Sequence, residues 1–485
     1  MEKKAPVDIN LIVTGAFVLF AYWIMAVKNG FMLRWYDEMS LFQPTWLSLR
    51  QYLMYPGGLL RYAGSWLTQL MYYPWLGTTA IMAIWLLTAW LTRKAFNLQK
   101  AFSPLALAVP FAMLVSVVQL DEAWLSIKTD GYVFSNTLGY LLAISLFLLF
   151  KSTSSHRYVS IAIGLLIPFL YAIGGFFTLL STVLCVMQLA RDGIRQKSYV
   201  CCVGTMLIIA VGIAVPLLYY RYLPGNSVDN DFPYLKGLPE LLMEPYDRYL
   251  WKPFIVASTG LLLLWGIGLT GNIKRSKPWT YISIAAICCC GIWAVSAERK
   301  SEQLRATVLM LQAMDQNNWK KIIHVMSHVK EQPNYTMSVI YDLAKANLGG
   351  EPGDISGYYP INIDARHAES FTMTAFIQVP VNYYIGRFNQ SYRWAMEHSV
   401  QYGKRVFFLK YMVKDALMNG EIKLAKRYND MLLKTMYHRK WAREMNRYIE
   451  DPSLIGKNPE FSDVLQSSSL EKNRKDTDTD VPASQ

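Results

Sequence analysis

Up to residue 297 the chain alternates long uncharged apolar runs with short charged ones, and the pattern changes at Glu298. A helix needs roughly 20 consecutive apolar residues to cross the hydrocarbon core of a bilayer, about 30 Å thick. Runs of that kind occupy 9–27, 74–92, 102–120, 132–150, 199–220, 253–271 and 279–297. The stretch 158–190 is also uncharged. As one helix it would extend about 50 Å, too long for a single crossing. Gly174-Gly175 lies at its middle, and Arg157 and Arg191 flank it. These features predict a tight hairpin of two short helices, which brings the total to about nine spans. The first run is longer than the apolar region of a usual secretory signal, and no convincing small-x-small site precedes Lys28, so it reads as an uncleaved anchor.

The segment 28–73 is long, rich in Trp and Tyr, and broken at Pro56-Gly57-Gly58. Before the break, Trp46, Leu49, Tyr52 and Leu53 share one helical face; after it, Leu59, Tyr62, Trp66 and Leu70 do. Two amphipathic helices lying flat at the membrane surface explain this pattern, as does an aromatic belt with re-entrant packing.

After Glu298 the periodicity is that of short amphipathic helices. Trp319, Ile322, Ile323 and Met326 make one face, and Pro333-Asn334 ends the run. A helix follows through Ile340, Leu343, Ala344 and Ala346 to Gly349-Gly350. Further helices are predicted over 392–402, 408–419 and 424–437, with turns at Gly403 and Gly420. Ala416, Leu417, Gly420, Leu424, Ala425 and Tyr428 fall where a tetratricopeptide-like repeat wants its packing residues, so 298–464 reads as a helical-repeat domain; the bland alternative is a non-repeating bundle. The polar end, 465–485, reads as disordered. The expected fold is therefore all-α: a polytopic membrane helix bundle over 1–297, then an α-helical tetratricopeptide-like domain.

Charge fixes an orientation. With the N-terminus inside, the inside segments carry thirteen basic residues against three acids, and the longer outside segments carry nine bases and ten acids. Short basic loops stay in the cytoplasm. An odd number of spans then puts 298 onward outside, in the periplasm of a Gram-negative inner membrane. The chain's formal charge of +13 follows this rule and does not require a nucleic-acid partner, because 298–485 carries 26 Lys+Arg and 22 Asp+Glu. The six cysteines all sit in apolar runs without metal-ligand spacing, so they read as helix packers.

No phosphate loop, G-x-G-x-x-G or H-E-x-x-H motif is present. His324 and His328 are four apart but suggest no third ligand, so no metal site is assigned. The acids at the outer ends of spans are the better lead: Asp37-Glu38 in "RWYDEMSLF", Asp121-Glu122 in "VVQLDEAWL", Asp130, and Asp229 with Asp231. A carboxylate at a bilayer interface loses hydration, which raises its pKa and suits it to take a proton. Basic groups at the same depth suit a lipid-linked phosphate. An acid pair soon after span one, a long first outer loop of interfacial helices and a second acid pair after span three resemble the GT-C class of integral-membrane glycosyltransferases. Some GT-C members also carry luminal tetratricopeptide repeats. The layout is similar, too, to multi-pass membrane proteins of Bacteroidota. The GT-C resemblance implies a polyprenyl-phosphate sugar as donor, Asp37 as the base or metal-linked orienter toward the acceptor, and Glu38 or Asp121, with Glu122 beside it, to orient the acceptor or hold a metal. It gives Arg34, Arg221 and Arg248 to the donor phosphate and names no cofactor. The rival expectation is a non-catalytic scaffold whose repeat domain binds envelope proteins. A transporter is disfavoured because charged residues within the spans are nearly absent.

Overall fold

A computed structural model describes residues 9–120, 124, 131–222, 233–238, 250–269, 276–298, 302–349 and 368–466. The described residues form α-helices and short 3₁₀ or π turns, with no β-strand among them. The chain divides into two compact units. The first comprises 1–33, 44–120 and 129–299; the second comprises 34–43, 121–128 and 300–485. The main division falls at 299/300, and two short earlier segments go with the second unit.

In the first unit, seven helices are long and apolar enough to cross a membrane. They are α1 (Ile9–Lys28), α5 (Pro74–Ala95), α7 (Tyr132–Ser152), α8 (Arg157–Gly174), α9 (Phe176–Gln196), α10 (Tyr199–Tyr222) and α12 (Lys277–Ala297). Two shorter apolar helices, α6 (Ser103–Val118) and α11 (Lys252–Gly268), stand where the other two spans are expected. From Val109 to Val118, α6 is buried on every side, the position open to a helix with no polar face. It packs on α11 and α12. Two buried polar side chains of this unit bridge helices: Trp85 Nε1 donates to Thr137 Oγ1 at 3.1 Å, and the Tyr140 hydroxyl to the Phe254 carbonyl at 3.0 Å.

The uncharged stretch after His156 is two helices, α8 and α9, which break at Gly175 and pack on each other. Gly175 has φ +52°. A side chain there would also meet the Lys236 carbonyl, whose oxygen accepts the Phe176 amide at 2.8 Å.

The first loop contains α2 (Gly30–Glu38), α3 (Trp46–Leu53) and α4 (Gly58–Thr68). No residue of α3 is buried, and Trp46 and Leu47 are exposed. In α4 the predicted apolar stripe faces outward, with Trp66 exposed, while the opposite face of Gly58, Gly64, Ser65 and Thr68 is buried. That small-residue face packs on α7. A Cβ on Gly64 would stand 2.8 Å from both the Gly131 carbonyl oxygen and the Ser135 nitrogen. Small residues thus let two backbones approach. The C-terminal ends of α1 and α12 also meet: Lys28 pairs with Glu298, and Asn29 Nδ2 donates to Glu298 Oε1 at 2.8 Å.

The second unit contains α13 (Glu302–Asp315), α14 (Trp319–Ser327), α15 (Tyr335–Asn347), α16 (Ala368–Tyr384), α17 (Phe388–Tyr402), α18 (Val406–Met418), α19 (Ile422–Leu433) and α20 (Arg439–Glu450). Consecutive helices pack on one another. Asn318 and Asn334 cap α14 and α15, accepting the Lys321 and Met337 amides. α18 is central: Val406 through Leu417 are all buried, including Lys410, Lys414 and Asp415. The segment 34–43 adds Trp35 to this core. Its indole meets Trp124 edge-on at 5.5 Å and Phe407 at 5.3 Å.

Candidate functional site

Burying an ionised side chain is tolerated only where a counter-charge and hydrogen bonds replace water. The second unit meets that condition repeatedly in one place. α2 ends with Asp37 and Glu38, 2% and 7% exposed. The Asp37 carboxylate Oδ2 lies 2.8 Å from His438 Nε2, just ahead of α20. Both oxygens of Glu38 accept from Lys410 Nζ on α18, at 2.8 and 2.9 Å. The same ammonium reaches Asp315 Oδ2, at the end of α13, at 3.4 Å. His438 Nδ1 stands 3.9 Å from Glu38 Oε1, so the imidazole lies between the two neighbouring acids.

One turn along α18, Lys414 pairs with Glu460 at 2.6 Å and lies over the rings of Tyr383 and Tyr411. Asp415 points to the other side, its Oδ2 2.8 Å from Ser391 Oγ. The spacing explains the arrangement. Lys410 and Lys414 are i, i+4 and share a face, while Asp415 is rotated about 100° away.

Proton affinities follow from these surroundings. Burial raises the Asp37 pKa, outweighing the hydrogen bond and charge of His438. Burial also drives Asp415 well above the ordinary carboxylate range, with only Ser391 and Lys414 opposing it. Ser391 Oγ donates to Asp415 Oδ2 at 2.8 Å and also lies 2.9 Å from the Val379 carbonyl oxygen. Asp315 moves the other way. Burial works to raise its pKa, but Lys410 and Lys414 outweigh it, so the pKa falls. Burial works to lower the Lys410 pKa, but the charges of Asp315 and Glu38 outweigh it, so the pKa rises. Lys410 ties Glu38 to Asp315, and Asp37 is bonded to His438.

Of the sequence-predicted residues, Asp37 and Glu38 stand together in this cluster. Arg34 lies half-buried on the same helix, α2. Arg221 is exposed at the end of α10 in the first unit, its guanidinium 5.9 Å from the Tyr222 ring centroid. Asp121, Glu122 and Arg248 lie outside the described residues, as do Asp130, Asp229 and Asp231. His324 and His328 lie side by side on an exposed helix face, their rings tilted by 59°, and His328 Nδ1 contacts the His324 carbonyl at 2.8 Å. Among the described residues no group of three or more His, Cys, Asp or Glu is arranged to hold a metal ion.

Sequence reasoning missed Lys410, Lys414, His438, Asp315, Glu460 and Asp415. A signal for three of them was present. "VFFLKYMVKDALM" is an apolar helix with charges set inside it, and such a helix cannot expose them all.

The chain belongs to the family of unknown function DUF6057, whose profile matches residues 5–483. No curated protein and no solved structure matches it.

Proposed function

We propose that this DUF6057 chain is an inner-membrane scaffold: a nine-span anchor that presents a tetratricopeptide-like domain to envelope proteins in the periplasm. The observation that carries this reading is the engagement of the Asp37-Glu38 pair. Both Glu38 oxygens are held by Lys410, and Asp37 is bonded to His438, with almost no surface left to meet an acceptor. Acids held in this way organise a fold. The segment after span one serves as a charged key seated within the helical domain. Consecutive pairwise packing of α13–α15 and α16–α20 supports the repeat reading. The shorter apolar helices α6 and α11 complete the nine crossings, and the Lys28–Glu298 pair supports an odd number, because it brings together the exits of the first and last spans. The basic inner segments favour a cytoplasmic N-terminus.

A second reading has one specific observation in its favour. Asp37 has a raised proton affinity and a histidine partner at 2.8 Å, the pairing a GT-C-like glycosyltransferase would need at its base. It would pass a sugar from a polyprenyl-phosphate donor to a periplasmic acceptor, with Asp121 and Glu122 as orienters.

One experiment separates the two. Full-length protein carrying a photo-crosslinker at exposed Val400 is irradiated in cells and purified in mild detergent. Bound lipid is then analysed from the same sample. The scaffold reading expects one recurrent, stoichiometric envelope protein crosslinked through Val400, with the same yield in the Asp37→Asn variant. Stoichiometric polyprenyl-phosphate lipid, no recurrent protein, and loss of glycan transfer in Asp37→Asn would replace the scaffold by the enzyme.

A further inference from the structure

The ionic cluster uses the inward charges of the second unit; the outward ones are unevenly spread. Residues 298–485 carry four more bases than acids, and residues 421–450 alone hold eight Lys+Arg against four acids. Residues 298–420 hold 14 Lys+Arg and 11 Asp+Glu over a far longer stretch, so the excess is densest on α19, α20 and the turn between them. Lys423, Lys426, Arg427 and Lys434 are exposed along the first helix and its end. Arg439, Lys440, Arg443 and Arg447 are exposed along the second. None of the eight has an ion pair or a side-chain hydrogen bond with any described residue, although Asp430 and Glu444 stand four positions after Lys426 and Lys440.

We propose that the solvent faces of α19 and α20 form a docking surface for anionic phospholipid headgroups. Two observations choose this occupant. A protein partner binds through buried aromatic or aliphatic anchors. This face offers none: no large hydrophobic residue between 421 and 450 is exposed, and Ala442, Met445 and Ile449 are already buried within the unit. A phosphate-rich surface needs no anchor, only clustered Lys and Arg. The chain also carries seven helices long and apolar enough to cross a membrane, so a bilayer is its permanent neighbour. Because the apolar side of α20 is occupied, the contact is purely electrostatic. It does not insert, it is reversible, and it is salt-sensitive. The interleaved acids Glu421, Asp430, Glu444 and Glu450 keep it weak enough to release.

The test uses full-length protein in nanodiscs of phosphatidylcholine, with binding of added vesicles read by co-flotation. Vesicles containing about one third phosphatidylglycerol are expected to bind and pure phosphatidylcholine vesicles not to, with binding lost between about 0.1 M and about 0.5 M salt. Each base near an anionic surface contributes about fivefold, so Arg443→Glu with Arg447→Glu lowers affinity at least about 25-fold. Lys423→Glu with Arg427→Glu is expected to do the same, since all four side chains are exposed and removable without disturbing the core. Lys320→Glu with Lys404→Glu makes an equal charge change at exposed positions elsewhere and is expected to retain binding. Equal loss in that control, equal binding to both vesicle types, or no binding overturns the proposal. So does tighter binding of soluble poly-glutamate than of vesicles to the same face, which would make the occupant an acidic polypeptide.

Discussion

Replacing Lys410 by Met tests the claim that the cluster organises the second unit. Met fills nearly the volume of the lysine stem, so packing along α18 is preserved and the change is electrostatic. The ammonium serves both Glu38 oxygens, at 2.8 and 2.9 Å, and Asp315 at 3.4 Å. Its removal leaves the Glu38 carboxyl buried, with His438 at 3.9 Å as the basic group beside it. Asp315 is less affected, because a quarter of its side chain is exposed and Lys414 still acts on it. Removing one member of a buried pair costs about 3–5 kcal/mol, most of it the penalty for the charge left behind. The second substitution identifies the origin of that cost. In Glu38→Gln with Lys410→Met, no buried charge is orphaned at this position, and most of the loss is expected to return, giving a coupling energy of about 2–3 kcal/mol. Pulse proteolysis of the full-length protein in detergent, over a urea series, reads the opening of the second unit without requiring the whole chain to unfold in two states. If Lys410→Met costs less than about 1 kcal/mol, or the double variant is no more stable than the single one, the pair is not a structural tie.

Three further outcomes follow from the same geometry. Asp415→Asn removes the buried titrating carboxyl while keeping an oxygen that accepts from Ser391, so it is expected to be at least as stable as the parent at neutral pH. In the parent, the folded pKa of Asp415 lies above the ordinary 3.8, so the stability it contributes is present at acid pH and is lost as pH rises through the folded value; a pH series of urea midpoints should show a shallower slope in the variant. Asp315 has the opposite sign: its lowered pKa gives stability above about 3.8 that disappears as pH falls through the folded value, so Asp315→Asn should be less stable at neutral pH and converge with the parent in acid. Gly64→Ala places a methyl 2.8 Å from two backbone atoms of the α4–α7 crossing and should cost about 1–3 kcal/mol, whereas Gly15→Ala, with open space around it, should be neutral in the same thermal-stability assay.

Much of the architecture was readable because hydrophobic length is a coarse and robust signal. Most of the apolar runs reappear as helices within a few residues, and Gly174-Gly175 marked the break between α8 and α9 because backbone at positive φ favours glycine. The second unit was readable turn by turn for a similar reason: Asn318 and Asn334 are caps, and Gly403 and Gly420 end helices at positive φ. α20 was missed. Its sequence, "RKWAREMNRYIE", is mostly charged, and its buried stripe is only Ala442, Met445 and Ile449, too thin to stand out from a solvated run. The face by which α4 packs on α7 had no hydrophobic signal, because a close helix crossing selects small residues such as Gly64 and Ser65.

The site was harder to read, and the reason is specific. An acidic pair just after a span has two physical causes with the same local sequence: a carboxylate at a wet interface, or one drawn into a fold by a distant base. Nothing near "RWYDEMSLF" separates them, since the counter-charges lie at Lys410 and His438, roughly four hundred residues on. The separating evidence was on the other partner. A solvated lysine has no reason to sit in "FFLKYMVKDAL", between residues whose spacing buries them on every side. A buried base requires an acid, and the second unit also draws in a short segment from near the start of the chain that carries two. When acids near a membrane boundary are weighed for chemistry, the apolar helices should therefore be searched first for unexplained bases, because each one found claims a carboxylate before a substrate can.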